Sequence, residues 1–161
     1  DADKYYYKKP AAPVTMGFAS RLEYHNWDLG FALRASIGNY VYNDAFASTS
    51  NMSTSDLFPK GKFLVNRPSE VVGDNWLSND PTSTQSDYWV QNASFLKMDN
   101  VQLSYNFGKI AKWCSLNASF MVQNVFTLTD YTGVDPECQG GIDMSVYPRP
   151  RIYSLTIGLD F

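Results

Sequence analysis

From Arg151 to Phe161 the chain alternates without interruption: Tyr153, Leu155, Ile157, Leu159 and Phe161 are apolar, and Ser154, Thr156, Gly158 and Asp160 between them are small or polar. Successive side chains of a strand point to opposite faces, so this segment predicts a strand with one greasy face and one wetted face. A water-soluble sandwich would turn the greasy face inward. A run of about ten alternating residues closed by an aromatic also suits a transmembrane β-strand that faces lipid. The rest of the chain has to choose between the two.

Four further segments repeat the pattern. In 14–24 the apolar phase is Met16, Phe18, Leu22 and Tyr24. In 28–42 it is Leu29, Phe31, Leu33, Ala35 and Ile37, with Arg21, Glu23 and Arg34 all on the opposite side. In 94–107 the residues Val101, Leu103, Tyr105 and Phe107 share one phase while Leu96 and Met98 take the other, which predicts a bulge near Asp99 and Asn100. In 115–126 the phase is Leu116, Ala118, Phe120, Val122 and Phe126, with Asn117, Ser119, Met121 and Gln123 opposite. The connections run short, long, short, long, the long ones being 43–91 and 127–150. A structureless stretch the size of 43–91 far exceeds the roughly 12–15 residues a compact soluble domain tolerates, whereas outer-membrane barrels pair short periplasmic turns with long external loops. The membrane reading therefore accounts for the connections as well as the strands, and Arg34 then lies on a lumen face instead of costing about 2–4 kcal/mol in lipid. The expected fold class is all-β, with antiparallel strands over 14–24, 28–42, 94–107, 115–126 and 151–161. Five strands are too few to close a barrel, which takes at least about eight, so a larger barrel is implied.

Composition agrees with this without deciding it. No run approaches the roughly 20 apolar residues of a membrane-crossing helix. Tyr, Phe and Trp number 11, 10 and 4 and gather near the expected strand ends, as interfacial girdles would. The formal charge is −3 and no basic run exceeds Lys8-Lys9 or the separated Arg149 and Arg151, which argues against a nucleic-acid partner. The chain begins at Asp1 with neither an initiating Met nor an export signal, so a preceding piece is expected to carry the signal. Cys114 and Cys138 fall at the start of one strand and in the loop beyond its far end. At about 3.3 Å per residue they stand too far apart for the roughly 7 Å reach of a disulfide, and no pairing between them is expected.

Three stretches resemble a known family. Ala93-Ser-Phe-Leu-Lys-Met-Asp-Asn-Val-Gln-Leu-Ser-Tyr-Asn-Phe107 is similar to the "SFLRLKNVTLGYTF" segment of SusC/RagA-type TonB-dependent transporters. Gln123-Asn-Val-Phe-Thr-Leu-Thr-Asp-Tyr-Thr-Gly-Val-Asp-Pro-Glu137 resembles their "QNLFTLTKYTGYDPE" segment, and Tyr147-Pro-Arg-Pro-Arg151 with the final strand resembles their closing "YPRPRTYTLGLNLSF". The likeness is close from Tyr88 to Phe161 and general before that. It implies the C-terminal part of a 22-stranded transmembrane β-barrel in the outer membrane of a Gram-negative bacterium. Such a barrel is filled by a plug, capped by a SusD-like surface lipoprotein and driven by TonB to import oligosaccharides or peptides. Plug and TonB box are absent from this sequence, so the remaining barrel and plug of the same transporter are expected partners, along with outer-membrane lipid. No cofactor or metal is implied, and no enzymatic activity.

The residues able to touch a substrate or a partner lie in the long connections. Trp76, Tyr88 and Trp89 stand among amides and acids, a composition that suits either sugar stacking or packing against a lipoprotein cap. Tyr131, Asp135, Glu137 and Arg149 complete the set of loop candidates. Asp135 and Glu137 read first as an Asp-Pro turn in which the carboxylate bonds the following backbone. A glycosidase would need carboxyl groups about 5–9.5 Å apart with assigned acid and base roles, and nothing here assigns them. His25, the one histidine, sits in a short turn without ligand-spaced neighbours. The competing non-membrane reading is a soluble carbohydrate-binding β-sandwich.

Overall fold

The computed structural model describes residues 4–50, 69, 85–144 and 147–161. They form two compact units. One comprises Pro13–Ile37, Ser94–Asp130 and Arg149–Phe161; the other comprises Asp1–Ala12, Gly38–Ala93 and Tyr131–Pro148.

The first unit is a single antiparallel sheet of five strands: β1 (Val14–Tyr24), β2 (Trp27–Ile37), β5 (Phe95–Ala111), β6 (Cys114–Thr129) and β7 (Ile152–Asp160), in the order β1-β2-β5-β6-β7. The register explains why the alternation matters. Leu22 pairs with Leu29, Leu29 with Leu103, Leu103 with Phe120 and Phe120 with Leu155, so one row of apolar side chains crosses every strand on one face. One residue along, Arg21, Gly30, Gln102, Met121 and Ser154 make the corresponding row of the other face. The register of β5 shifts between Met98 and Asn100, where the apolar phase changes in the sequence, and Leu96 and Met98 thereby stay in line with Ala35 and Leu33.

The apolar face is exposed, with Phe18 at 59% and Leu155 at 70% of full accessibility. A sandwich would require a second sheet over this stripe, and among the described residues of this unit there is one layer only. Leaving a Leu or Phe side chain in water forgoes roughly 1.5–3 kcal/mol of burial, a cost repeated along every strand unless the face meets hydrocarbon. The sandwich reading is corrected on this ground. Aromatic side chains cluster where the short turns lie: Trp27 packs on Tyr105 at 4.6 Å, Tyr105 on Phe107 at 4.6 Å, and Trp113 stacks on Phe161 at 5.6 Å. Amphipathic rings at one level of a sheet suit a membrane–water boundary.

The stretch 28–42, expected as one strand, is two elements. β2 ends at Ile37, Gly38 turns with φ 82°, and Tyr40–Tyr42 (β3) pairs with Val90–Asn92 (β4) in a separate ribbon. A glycine falling in the small, polar phase fits an alternating strand equally well, so the periodicity conceals the break. The long connection 43–91 contains a short helix, α1 (Asp44–Thr49), and a 3₁₀ turn, Asp87–Trp89. No helix among the described residues is long and apolar enough to cross a membrane.

With hydrocarbon against the apolar face, Leu155→Arg costs about 2–4 kcal/mol of folding free energy in the intact membrane-embedded protein, while its neighbour Thr156→Arg on the polar face stays within about 1 kcal/mol. Denaturant unfolding in lipid vesicles measures both. Equal costs at the two positions would contradict the lipid-facing stripe.

Candidate functional site

The second unit gathers most of the loop candidates. Its frame is the β3–β4 ribbon, where Tyr40 pairs with Asn92, Val41 with Gln91 and Tyr42 with Val90. A six-residue helix is too short to be stable alone, so α1 depends on its surroundings. The Asn43 side chain caps it by accepting from the Phe46 amide at 3.1 Å, and the Asn43 amide donates to the Trp89 carbonyl at 2.9 Å. Trp89 is fully buried, with Ala47 and Phe46 packed against it. Val41, Ala93 and Tyr131 form a second small core, joined by Cys138. Cys114 and Cys138 carry thiols and not a disulfide, and the Cys138 thiol donates to the Asp135 carbonyl.

The centre of the unit is Asp143, which is wholly buried. Its Oδ2 accepts from the Tyr131 hydroxyl at 3.0 Å, the Val134 amide at 2.9 Å and the Asp135 amide at 3.2 Å. Its backbone amide donates to the Tyr42 carbonyl at 2.8 Å and its carbonyl accepts from the Ala45 amide at 3.2 Å. One residue thus ties the end of β3, the start of α1 and the 131–135 turn. A buried carboxyl is tolerated only when it is hydrogen-bonded, and here three donors converge on Oδ2. Burial first, then the charge of Asp143 and the hydrogen bond to it, push the Tyr131 phenol well above its ordinary range, so Tyr131 remains the donor at physiological pH.

Of the sequence candidates, Trp89 and Tyr131 are interior, Tyr131 being 6% exposed, and their rings support the unit from within. Tyr88 is exposed and packs edge-on against Trp89 at 4.9 Å. Asp135 Oδ1 accepts from the Glu137 amide at 3.0 Å, a side-chain-to-backbone turn that occupies the carboxylate structurally. Arg149 belongs to the sheet unit, where its carbonyl accepts from Asn124 Nδ2 at 2.7 Å. Trp76 lies outside the described residues. Asp143 was not among the candidates; its signal is an acid between Ile142 and Met144 just after a Gly pair, where an apolar run would otherwise continue.

Two open depressions mark the surface of this unit. One, of about 420 Å³, is walled by Tyr5, Tyr7 and Tyr42 with Ser86 and Asp87, and the Tyr5 hydroxyl bonds the Asp87 carboxylate. The other, of about 540 Å³, is lined by Asn43, Phe46, Thr49, Gln91, Thr132 and Val134. Aromatic walls with a few fixed polar groups can hold a ligand. Among the described residues no group of three or more His, Cys, Asp or Glu could hold a metal ion.

A single-layered antiparallel sheet with one exposed apolar face and an aromatic cluster at its short-turn end defines a segment of a transmembrane β-barrel. No family model matches the sequence. The chain is 42% identical over 164 residues to the TonB-dependent receptor SusC of Bacteroides thetaiotaomicron, covering 99% of this chain and 16% of that protein. It is 25% identical over 189 residues to the TonB-dependent receptor P3 of Formosa agariphila, covering 99% of this chain and 17% of the relative. Its fold is similar to a chain of the RagAB peptide importer in the closed-closed state, with a TM-score of 0.71 at 22% identity, covering 96% of this chain and 18% of that one. The chain belongs to the SusC/RagA-type TonB-dependent receptors. The matched relatives are named as a receptor and a peptide importer, and in this chain the Asp135 carboxylate accepts from the Glu137 amide within the turn.

Replacing Asp143 by Ala orphans three donors, each worth about 1–3 kcal/mol when buried, and should raise local opening of the 131–135 turn at least tenfold. Hydrogen exchange at the Val134 and Asp135 amides reads this directly. Gly133→Ala gives the same signature, because a Cβ there would lie 2.3 Å from the Tyr131 ring. Unchanged exchange in both variants would remove Asp143 from the centre of the unit.

Proposed function

We propose that this chain is the C-terminal arc of a 22-stranded outer-membrane barrel, part of a TonB-dependent importer of oligosaccharides or peptides. The carrying observation is 42% identity along essentially the whole chain to a TonB-dependent receptor, in a sheet whose apolar stripe has no protein layer over it within its unit. In this reading the polar face, with Arg21, Asp28, Gln102 and Ser119, lines the lumen, and the remaining barrel and plug of the same receptor complete the cylinder. The connections 43–91 and 127–150 face outward. There a SusD-like lipoprotein closes over the substrate, and TonB acts from the other side through the plug.

The loop unit supplies contact surface and performs no bond chemistry. Tyr88, Glu137 and the two depressions are the outward contact candidates, while Trp89 and Tyr131 hold the surface in place. Arg149 contributes from the base of the last strand. Substrate is captured between lid and barrel and released inward when the plug is displaced.

Cysteines placed at Tyr88 and Asn26 in the full-length receptor test the orientation. A membrane-impermeant maleimide should label Tyr88→Cys on intact cells and reach Asn26→Cys only after the outer membrane is permeabilised. The reverse pattern, or recovery of the receptor in the soluble fraction without detergent, would refute the assignment.

A further inference from the structure

The alternation of β3 sorts its side chains. Val41 is buried in the small core with Ala93 and Tyr131, so Tyr40 and Tyr42 on either side of it turn their rings to the opposite face of the ribbon. The N-terminal segment runs beside them and is anchored along its length. The Tyr40 amide donates to the Lys9 carbonyl at 3.2 Å, the Tyr5 hydroxyl donates to the Asp87 carboxylate, and Pro10 lies against Gly141. A Cβ at Gly141 would stand 2.3 Å from Pro10 Cβ, and the backbone there has φ 76°, so only glycine admits the segment at this point. Held in this way, Tyr5 and Tyr7 meet edge to face at 6.0 Å and wall the depression of about 420 Å³ together with Tyr42.

Tyr7 also shares a neighbour with Tyr40, and that neighbour is a cation. The Lys8 ammonium stands over the Tyr7 ring at 5.2 Å and over the Tyr40 ring at 5.0 Å from the centroids. Both distances fall within the roughly 6 Å over which the negative face of a ring attracts positive charge. Lys8 is exposed, and its long stem gives up rotamer freedom to hold this pose, so the contact is weak. A group that is exposed, flexible and weakly held is one that a ligand can replace. The depression beside the rings supplies fixed polar atoms: Ser86 donates to Asp87 Oδ1 at 3.4 Å, and Lys4 and Gln85 line the same wall.

We propose that Tyr7 and Tyr40 form a cation seat in which Lys8 is a removable stopper, and that a solute bearing a primary ammonium group displaces Lys8 and extends into the depression walled by Tyr5, Tyr42 and Asp87. The role of that solute as cargo rests on the importer reading, whose substrate class it narrows to amine-bearing peptides or amino sugars. A neutral or acidic solute gains nothing from the ring faces and leaves Lys8 in place. The Asp87 carboxylate, already oriented by Tyr5 and Ser86, adds negative field beside the seat. Lys8 keeps the affinity modest, because an incoming ammonium gains only the difference between its own contacts and those it replaces.

The probes are radiolabelled trilysine and fully deacetylated chitotriose, each equilibrated by dialysis with the detergent-purified full-length receptor. Saturable retention of at least one is expected, falling about two- to fivefold in Tyr7→Leu and in Tyr40→Leu. Tyr40→Phe should keep it, because the ring and not the hydroxyl meets the cation. Lys8→Gln should raise retention by a similar factor, whereas Lys9→Gln, which removes the same charge one residue along, stays near the parent value. Retention of trilysine alone assigns a basic peptide, of chitotriose alone an amino sugar, and of both an ammonium group with no further demand. Heat-modifiable migration on gels identifies folded variants, and exposed Tyr7 carries the test if Tyr40→Leu fails to fold. Retention that ignores the Tyr7 substitution, falls in Lys8→Gln, rises equally in Lys8→Gln and Lys9→Gln, survives acetylation of the trilysine amines, or is absent for both probes would overturn the proposal. Maleimide labelling reports the barrel orientation independently, so failed retention with correct labelling discards the cation seat alone.

Discussion

Everything in the sheet unit follows from one mismatch: a continuous apolar face with no protein layer of its own unit to bury it. Helix-on-sheet and sheet-on-sheet packing both remove such a face from water, and neither is present among the described residues of this unit. Hydrocarbon removes it equally well, but it imposes a second condition, because lipid offers nothing to a backbone amide. The outer edges of β1 and β7 therefore need strand partners, and a sheet of five cannot supply them by closing on itself. The two requirements together make the sheet an arc of something larger, and they do so before any relative is considered. They also explain why β5 and β6, with 17 and 16 residues, exceed the roughly 9–11 needed to cross the bilayer. The surplus can pair in water, where ordinary β-ladder rules apply.

The loop unit solves a different problem. It has too few apolar residues for a conventional core: Val41, Ala47, Trp89, Ala93 and Tyr131 are its buried hydrophobic members among the described residues. A core this small specifies shape weakly, and the buried Asp143 carboxyl compensates. Satisfied by Tyr131, Val134 and Asp135, it fixes the relative positions of three chain segments in one arrangement, since any slippage would leave a buried acceptor or donor unmet. Its contribution is geometric specificity more than net stability. An outward surface that has to meet a partner reproducibly needs that definition.

The legibility of the sequence divides along the same line. Strand alternation is a local property, so the segments around Phe18, Phe31, Leu103, Phe120 and Leu155 announce themselves from composition at every second position. The break at Gly38 does not, because a small residue in the polar phase is what a continuing strand would also show. The extension of β5 to Ala111 is hidden for the complementary reason: Gly108, at φ 71°, and two further register shifts scramble the phase past Asn106. In the loop unit, Trp89 and Tyr131 read as surface aromatics because a polar neighbourhood in sequence says nothing about burial in space. Asp143 was invisible as a hub, since its partners come from the 131–135 turn and its backbone contacts reach Tyr42 and Ala45, distances along the chain that no periodicity spans.

The bulge at Asp99 shows how the two faces constrain one another. The phase of β5 is set separately on either side of it: Leu103 and Val101 have to align with Leu29 and Phe31, and Met98 and Leu96 with Leu33 and Ala35. The sequence places these two sets an odd number of residues apart, so an unbulged strand would satisfy only one. Keeping Val101 and Leu103 in register would then turn Leu96 and Met98 onto the polar face and carry Lys97 onto the lipid face, where a charge is disfavoured and two apolar side chains lose their hydrocarbon. One extra residue restores both rows at the expense of a few ladder hydrogen bonds, and the residue so inserted is an aspartate that finds Arg34 on the wetted side. Hydrophobic phase thus dictates where the irregularity must fall, and electrostatics dictates which side chain can occupy it.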